Sequence, residues 1–107
     1  MKSPLSISIE KMEKHVCLIR KQKVILDLDL AALFGIPTIN IKRAVKRNMN
    51  SFPADIMFSL NKAELDNLRR RITTSSLGGM RYAPLAFTRE GVDVLSGVLN
   101  SERNQSV

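Results

Sequence analysis

The chain has 107 residues, of which 44% are apolar and 25% are charged, and it carries a net charge of +7 with a pI near 10.1. This balance predicts one globular domain and excludes a disordered chain, and no apolar run approaches the roughly 20 residues that span a membrane. The single cysteine, Cys17, excludes an internal disulfide and favours a reducing, cytoplasmic setting. The positive charge favours a nucleic-acid partner.

The first part of the chain is predicted to form an arm and a β-hairpin. Residues 1–14 mix polar and apolar types and are interpreted as an N-terminal arm, either loose or in a short strand. Two β-rich runs follow at 15–20 and 23–26, and Lys21-Gln22 is the predicted turn between them. Because both runs are apolar nearly throughout, part of this hairpin is expected to be covered on both faces.

Residues 27–47 have the pattern of a short helix, a tight turn and a second helix. Gly35 accepts the positive φ that ends a helix, Pro37 cannot continue it, and Thr38 suits the N-cap of the next helix. This pattern predicts a helix-turn-helix, the motif that places its second helix in a DNA major groove. The residues able to pack the pair together are Leu30, Ala31, Phe34, Ile36, Ile41, Ala44 and Val45. The residues expected to face outward are Thr38, Asn40, Lys42, Arg43, Lys46 and Arg47.

A strand and a helix are predicted next. The segment 55–60 has the composition of a buried strand, and Asn61 and Glu64 have the spacing of a capping box. Three arginines end this helix, where cations complement the helix dipole, so a solvated helix end explains them without a ligand. The side chains predicted to point inward are Leu65, Leu68 and Ile72.

The last part of the chain is predicted to contain a loop, a strand and a helix. Residues 73–80 are polar and then Gly-Gly, the composition of a loop. Residues 81–87 are predicted as a strand or a short ribbon that Pro84 interrupts, which favours a position at a sheet edge. Thr88 is predicted to cap the last helix. The apolar residues on or near its buried stripe are Val92, Val94, Leu95, Val98 and Leu99.

Together these elements predict an α+β fold, with short strands and about four helices, one pair forming the helix-turn-helix. The predicted organisation is an N-terminal arm at 1–14, a domain at 15–103 and a polar tail at 104–107. The tail has no structural terminator, so it is interpreted as leading into a further C-terminal region.

No catalytic, cofactor or metal site is predicted. His15 is the only histidine, and no cysteine or carboxylate cluster accompanies it at metal-ligand spacing. Asp27 and Asp29 resemble a carboxylate pair, but their place at a helix N-terminus explains them as N-cap and dipole partners. The sequence therefore predicts a binding protein and not an enzyme.

The second predicted helix carries the candidate DNA-contacting residues. No Asp or Glu occurs between Leu30 and Ala54, so the cations of this helix are interpreted as DNA contacts in preference to a solvated face. By position, Thr38 and Asn40 suit a phosphate or a base edge and Arg43 suits guanine. Lys46 and Arg47 are assigned to phosphates.

The loop at 73–81 has two interpretations. It is either a long connector, or its backbone N–H groups, its hydroxyls and Arg81 contact phosphate or enter a minor groove. Both interpretations stay open, and Arg81 is included among the candidate DNA-binding residues.

Many short motifs in one order resemble a known family. They are Asp29-Leu30-Ala31, Phe34-Gly35, Val45-Lys46-Arg47-Asn48, Phe52-Pro53-Ala54-Asp55, Met57-Phe58, Thr74-Ser75-Ser76, Gly78-Gly79, Arg81-Tyr82, Pro84, Ala86-Phe87-Thr88, Gly91-Val92, Leu95-Ser96, Val98-Leu99, Ser101 and Arg103. The chain resembles the ORF-six-N domain, a relative of the KilA-N and Bro-N domains of phages and large DNA viruses, from about residue 16 to 103. Ser51 stands where a basic residue is common, and Met80 where a polar one is.

The resemblance implies a DNA-binding module at the N-terminus of phage antirepressors or regulators, in front of a separate C-terminal domain. The expected function is sequence-specific binding of double-stranded DNA in transcriptional regulation. Alternatives are a protein-interaction module whose basic helix binds an acidic partner, and non-specific nucleic-acid binding. Further expected partners are a second copy of the chain or the C-terminal domain, with no membrane and no small-molecule substrate.

Overall fold

The computed structural model describes residues 9–71 and 83–105. Within them a four-stranded antiparallel sheet is combined with five α-helices, which confirms the predicted α+β class. The sheet has the spatial order β1-β2-β4-β3. Its strands are β1 (Cys17–Ile19), β2 (Gln22–Leu26), β3 (Met57–Ser59) and β4 (Leu85–Phe87). The helices are α1 (Ile9–Glu13), α2 (Asp27–Phe34), α3 (Thr38–Arg47), α4 (Lys62–Arg71) and α5 (Arg89–Gln105), with a 3-10 turn at Met49–Ser51.

One face of the sheet carries the larger core. Ile25 pairs with Phe87, and Phe87 pairs with Met57, so these three side chains lie side by side across three strands. The buried residues of α2, α3 and α5 pack on this row, together with Phe52, whose ring meets that of Phe87 edge to face at 6.0 Å. Burying one such side chain contributes about 1.5–3 kcal/mol, so this layer fixes the three helices against the sheet.

The opposite face of the sheet carries a second, smaller core. Leu26, Ala86 and Phe58 lie side by side in the pairing register one residue away from the first row. Leu68 of α4 packs against them. Since side chains alternate along a strand, β2 and β4 are covered on both faces, as the apolar hairpin sequence predicts for part of the hairpin.

The hairpin turn lies one residue earlier than predicted. Arg20 and Lys21, not Lys21 and Gln22, form the turn, and both have left-handed backbone conformations, with φ of 54° and 61°. Neither residue type favours this region. The Arg20 guanidinium lies 4.1 Å from the centre of the Phe58 ring and pairs with Glu64 at 2.8 Å, so distant contacts hold the turn.

The predicted N-terminal arm is partly helical. Residues 9–13, predicted as loose or as a short strand, form α1. Met12 of this helix packs against the larger core, which supplies the contact that favours a helix there. Residues 1–8 lie outside the described part of the chain.

The edge position predicted for the strand at Pro84 is wrong. β4 is a central strand, between β2 and β3. Pro84 lies immediately before Leu85, the first residue of β4. Its missing backbone N–H therefore removes no hydrogen bond between the strands. Its carbonyl accepts a hydrogen bond from the N–H of Leu60 at 3.1 Å, which continues the pairing with the segment after β3.

Both predicted helix caps after the sheet strands are present. The N–H of Asn61 donates to the Glu64 carboxylate at 2.9 Å, and the N–H of Glu64 donates to the Asn61 side chain at 2.8 Å, a complete capping box. The Thr88 hydroxyl accepts the N–H of Gly91 at 3.2 Å and so caps α5. In α5, Val92, Leu95 and Leu99 are buried, as predicted. Ile72 and the predicted loop at 73–80 lie outside the described residues.

Among the described residues, no helix has both the length and the apolar character needed to cross a membrane.

Candidate nucleic-acid interface

A tight turn joins α2 to α3 and sets the direction of α3. Gly35 has φ of 73° and ψ of 35°, the left-handed conformation predicted for it. Its N–H donates to the carbonyl of Ala32 at 3.3 Å, and the N–H of Ile36 donates to that of Ala31 at 3.0 Å. These two bonds form a Schellman motif, which satisfies carbonyls in the last turn of α2 and ends the helix in a tight turn.

We expect Gly35→Val to lower the free energy of unfolding by about 1–3 kcal/mol, because valine is strained at positive φ. A Cβ at this position meets no atom within 4 Å, so the loss comes from the backbone alone. Gly35→Asn is the control, since asparagine tolerates the left-handed region better. Urea denaturation compares the variants, and equal stability of Gly35→Val and Gly35→Asn contradicts the assigned role of the turn.

The inner side of α3 packs into the larger core. Ile41, Ala44 and Val45 are buried there against α2 and α5, as the apolar spacing predicts. The start of the helix differs from the prediction, because Pro37 is the N-cap and Thr38 is the first helical residue. No side chain caps this end, since proline offers no side-chain acceptor for the first N–H groups.

The opposite side of α3 is exposed, and we call it the outward face. It comprises Ile39, Asn40, Arg43, Lys46 and Arg47. Helical periodicity places Asn40, Arg43 and Arg47 along one line, and Ile39, Arg43 and Lys46 along a neighbouring one. Arg43 and Lys46 make no ion pair or side-chain hydrogen bond with any residue that the structure describes. Both positive charges are therefore available to a partner.

Lys42 does not lie on the outward face, contrary to the expectation from sequence. Its ammonium is 3.1 Å from a carboxylate oxygen of Asp27 and donates to the carbonyl of Ala83 at 3.1 Å. The Asp27 side chain is 1% exposed, and its oxygens have no hydrogen-bond partner in the described structure. We regard the 3.1 Å contact as an ion pair, because a buried carboxylate requires a nearby positive charge. A contact of Lys42 with DNA stays a prediction.

Arg47 is exposed but paired. Its guanidinium donates two hydrogen bonds to the Glu102 carboxylate, at 2.7 and 3.1 Å, and this pairing holds the pKa of Glu102 below its usual range. The Asn48 side chain donates to the same carboxylate at 3.2 Å. Because Glu102 belongs to α5, these bonds fix the end of α3 to the last helix.

The two aspartates at the start of α2 have different partners. Leu26, not an aspartate, is the N-cap of α2, and Asp27 and Asp29 both lie in its first turn, where they complement the dipole. Asp29 is 3.5 Å from His15, and burial raises the pKa of its carboxyl while His15 opposes this shift. Asp27 forms the ion pair with Lys42, so each of the two aspartates lies beside a positively charged or basic side chain.

The structure adds Ile39 to the outward face, and it does not describe the predicted site residue Arg81. Ile39 is 49% exposed, although the sequence assigned it to neither side of α3. Helical periodicity in the sequence could have shown this, because Ile39 is four residues before Arg43 and therefore on the same line of the helix. Arg81 and the loop at 73–81 lie outside the described residues, so their two interpretations stay open.

Comparison with known proteins identifies the family of the chain. A family model described as the ORF6N domain matches residues 14–98, which is most of the chain. This is the ORF-six-N family that the sequence motifs resemble, and the matched range includes the whole sheet, α2, α3 and α4. No curated protein and no solved structure matches the chain. The chain belongs to the ORF6N domain family.

Proposed function

We propose that this chain binds double-stranded DNA with sequence specificity, as the DNA-binding module of a phage-type transcriptional regulator. In this proposal α2 and α3 act as a helix-turn-helix, and the outward face of α3 enters the major groove. The role is one of binding, with no reaction assigned to the chain.

The observation that carries the proposal is the chemistry of the outward face. Two cations, Arg43 and Lys46, are free of partners among the described residues, and Asn40 stands beside them. The segment from Leu30 to Ala54 contains no carboxylate that could repel phosphate. A cationic helix with an amide in its first turn and a guanidinium about one turn further on matches what base edges and phosphates require.

Membership of the ORF6N family supports a phage-type regulatory role. The net charge of +7 supports an anionic partner, although charge alone does not distinguish DNA from an acidic protein. Only five of the residues are aromatic, four Phe and one Tyr, and Phe52, Phe58 and Phe87 are buried. Since single-strand readers need exposed aromatic side chains for base stacking, duplex DNA is favoured over single-stranded nucleic acid.

The proposal is tested by selecting bound fragments from a random duplex library with the full chain at fixed salt. We expect a short sequence motif to be enriched, and its affinity to exceed that of a scrambled duplex by at least about 10³-fold. Retention of duplexes without any motif supports non-specific binding instead. No retention at low salt contradicts a DNA role and favours an acidic protein partner.

A further inference from the structure

Ile39 is an exposed aliphatic side chain within a polar and cationic surface. It is 49% exposed, whereas Ile41, two residues further on, is fully buried. Ile39 lies in the first turn of α3, the part of a major-groove helix that approaches base edges most closely. Isoleucine has a lower helix propensity than Lys, Arg, Glu or Gln, so forming the helix does not explain its presence.

The chemistry of the major groove offers one partner for such a group. Among base edges there, the only methyl group is the 5-methyl of thymine, and apart from ring C–H groups the other positions present hydrogen-bond donors or acceptors. An exposed isoleucine that enters the groove gains most free energy against that methyl, because against a donor or acceptor it would leave the polar group buried without a hydrogen bond.

The neighbouring Arg43 indicates where in the target sequence this thymine would lie. Ile39 and Arg43 are separated by four residues, a rise of about 6 Å, whereas successive base pairs are about 3.4 Å apart. Both side chains lie on one line of the outward face, so they address bases within about two steps of each other. Arg43 and Lys46 on this same line have no partner among the described residues, so we expect attraction to phosphate to turn the line toward the DNA.

We propose that Ile39 contacts the 5-methyl group of a thymine, within about two base steps of a guanine bound by Arg43. This inference rests on the proposed function. It adds that Ile39, the apolar residue of the outward face, selects thymine. The target sequence is then defined by a methyl contact as well as by hydrogen bonds.

The test replaces each thymine of the enriched duplex in turn by deoxyuridine, which lacks only the methyl group. At one thymine we expect the affinity of the natural chain to fall about fourfold, the effect of losing one buried methyl group. Ile39→Ala is expected to bind the thymine and deoxyuridine duplexes equally. The matched control is Met49→Ala, an exposed apolar residue outside α3, which should keep the fourfold difference.

The outcomes separate this inference from the proposed function. If no duplex is enriched, both fail. If a motif is enriched but contains no thymine, or tolerates deoxyuridine at every position, the methyl contact is overturned while sequence-specific binding stands. A deoxyuridine effect that Ile39→Ala retains, or that Met49→Ala removes, overturns the assignment to Ile39. Thermal melting of both variants verifies that each remains folded.

Discussion

We expect the Lys42→Met variant to lose about 3 kcal/mol of unfolding free energy, because it leaves the Asp27 carboxylate buried without a positive charge. Asp27 is 1% exposed, and the Lys42 ammonium is its partner at 3.1 Å. The value lies at the low end of the range for buried pairs because the Lys42 side chain is 28% exposed. Urea denaturation followed by circular dichroism measures the loss.

Two further variants test whether the lost ion pair causes this decrease in stability. Lys46→Met makes the same substitution on the outward face of α3, where we expect a change of about 0.5 kcal/mol or less. The double variant Asp27→Leu with Lys42→Met removes both charges and should recover most of the stability. If Lys42→Met and Lys46→Met are equally stable, the ion pair does not anchor α3.

The same double variant separates an anchoring role of Lys42 from a DNA contact. If it is stable and binds DNA as the natural chain does, Lys42 serves only to hold α3 against the start of α2. If it is stable but binds DNA more weakly, the contact predicted from the sequence is present in the complex, and Lys42 exchanges Asp27 for phosphate.

Much of the fold was predictable because its signals are local. The α2–α3 turn depends on Gly35 and Pro37, and the capping box depends on Asn61 and Glu64, three residues apart. Such features are determined within a few residues of sequence, where propensity and hydrogen bonding agree. The hairpin turn at Arg20 was missed because its partners, Phe58 and Glu64, are distant in the chain.

The exposed face of α3 was predictable from the sequence, but the pairing of its charges was not. Periodicity separates the buried side of α3 from the outward face, and Asn40 and Arg43 are exposed as it predicts. It cannot show that Lys42 is paired with Asp27, or that Arg47 is paired with Glu102, 55 residues away. A charge run in sequence therefore overestimates the number of cations that are available to a ligand.

The second large effect that we expect is a loss of sequence discrimination in the double variant Asn40→Ala with Arg43→Ala. Both side chains are exposed on the outward face and are three residues apart, so both can reach one stretch of groove floor. Each lost bidentate base contact costs about 1–3 kcal/mol, and only on the preferred duplex. The measured quantity is the ratio of affinities for the preferred and scrambled duplexes at one fixed salt concentration.

The matched control is the double variant Asn67→Ala with Arg70→Ala on α4. It removes the same two residue types at the same spacing from another exposed helix surface, and it changes the net charge equally. Because phosphate contacts are independent of sequence, they cancel in the ratio of the two affinities, so a difference in this ratio between the variants reports base contacts and not charge. We expect the Asn67/Arg70 variant to keep the affinity ratio of the natural chain. If it loses the ratio while the Asn40/Arg43 variant keeps it, α4 and not α3 contacts the bases, and the outward face of α3 is not the site of sequence recognition.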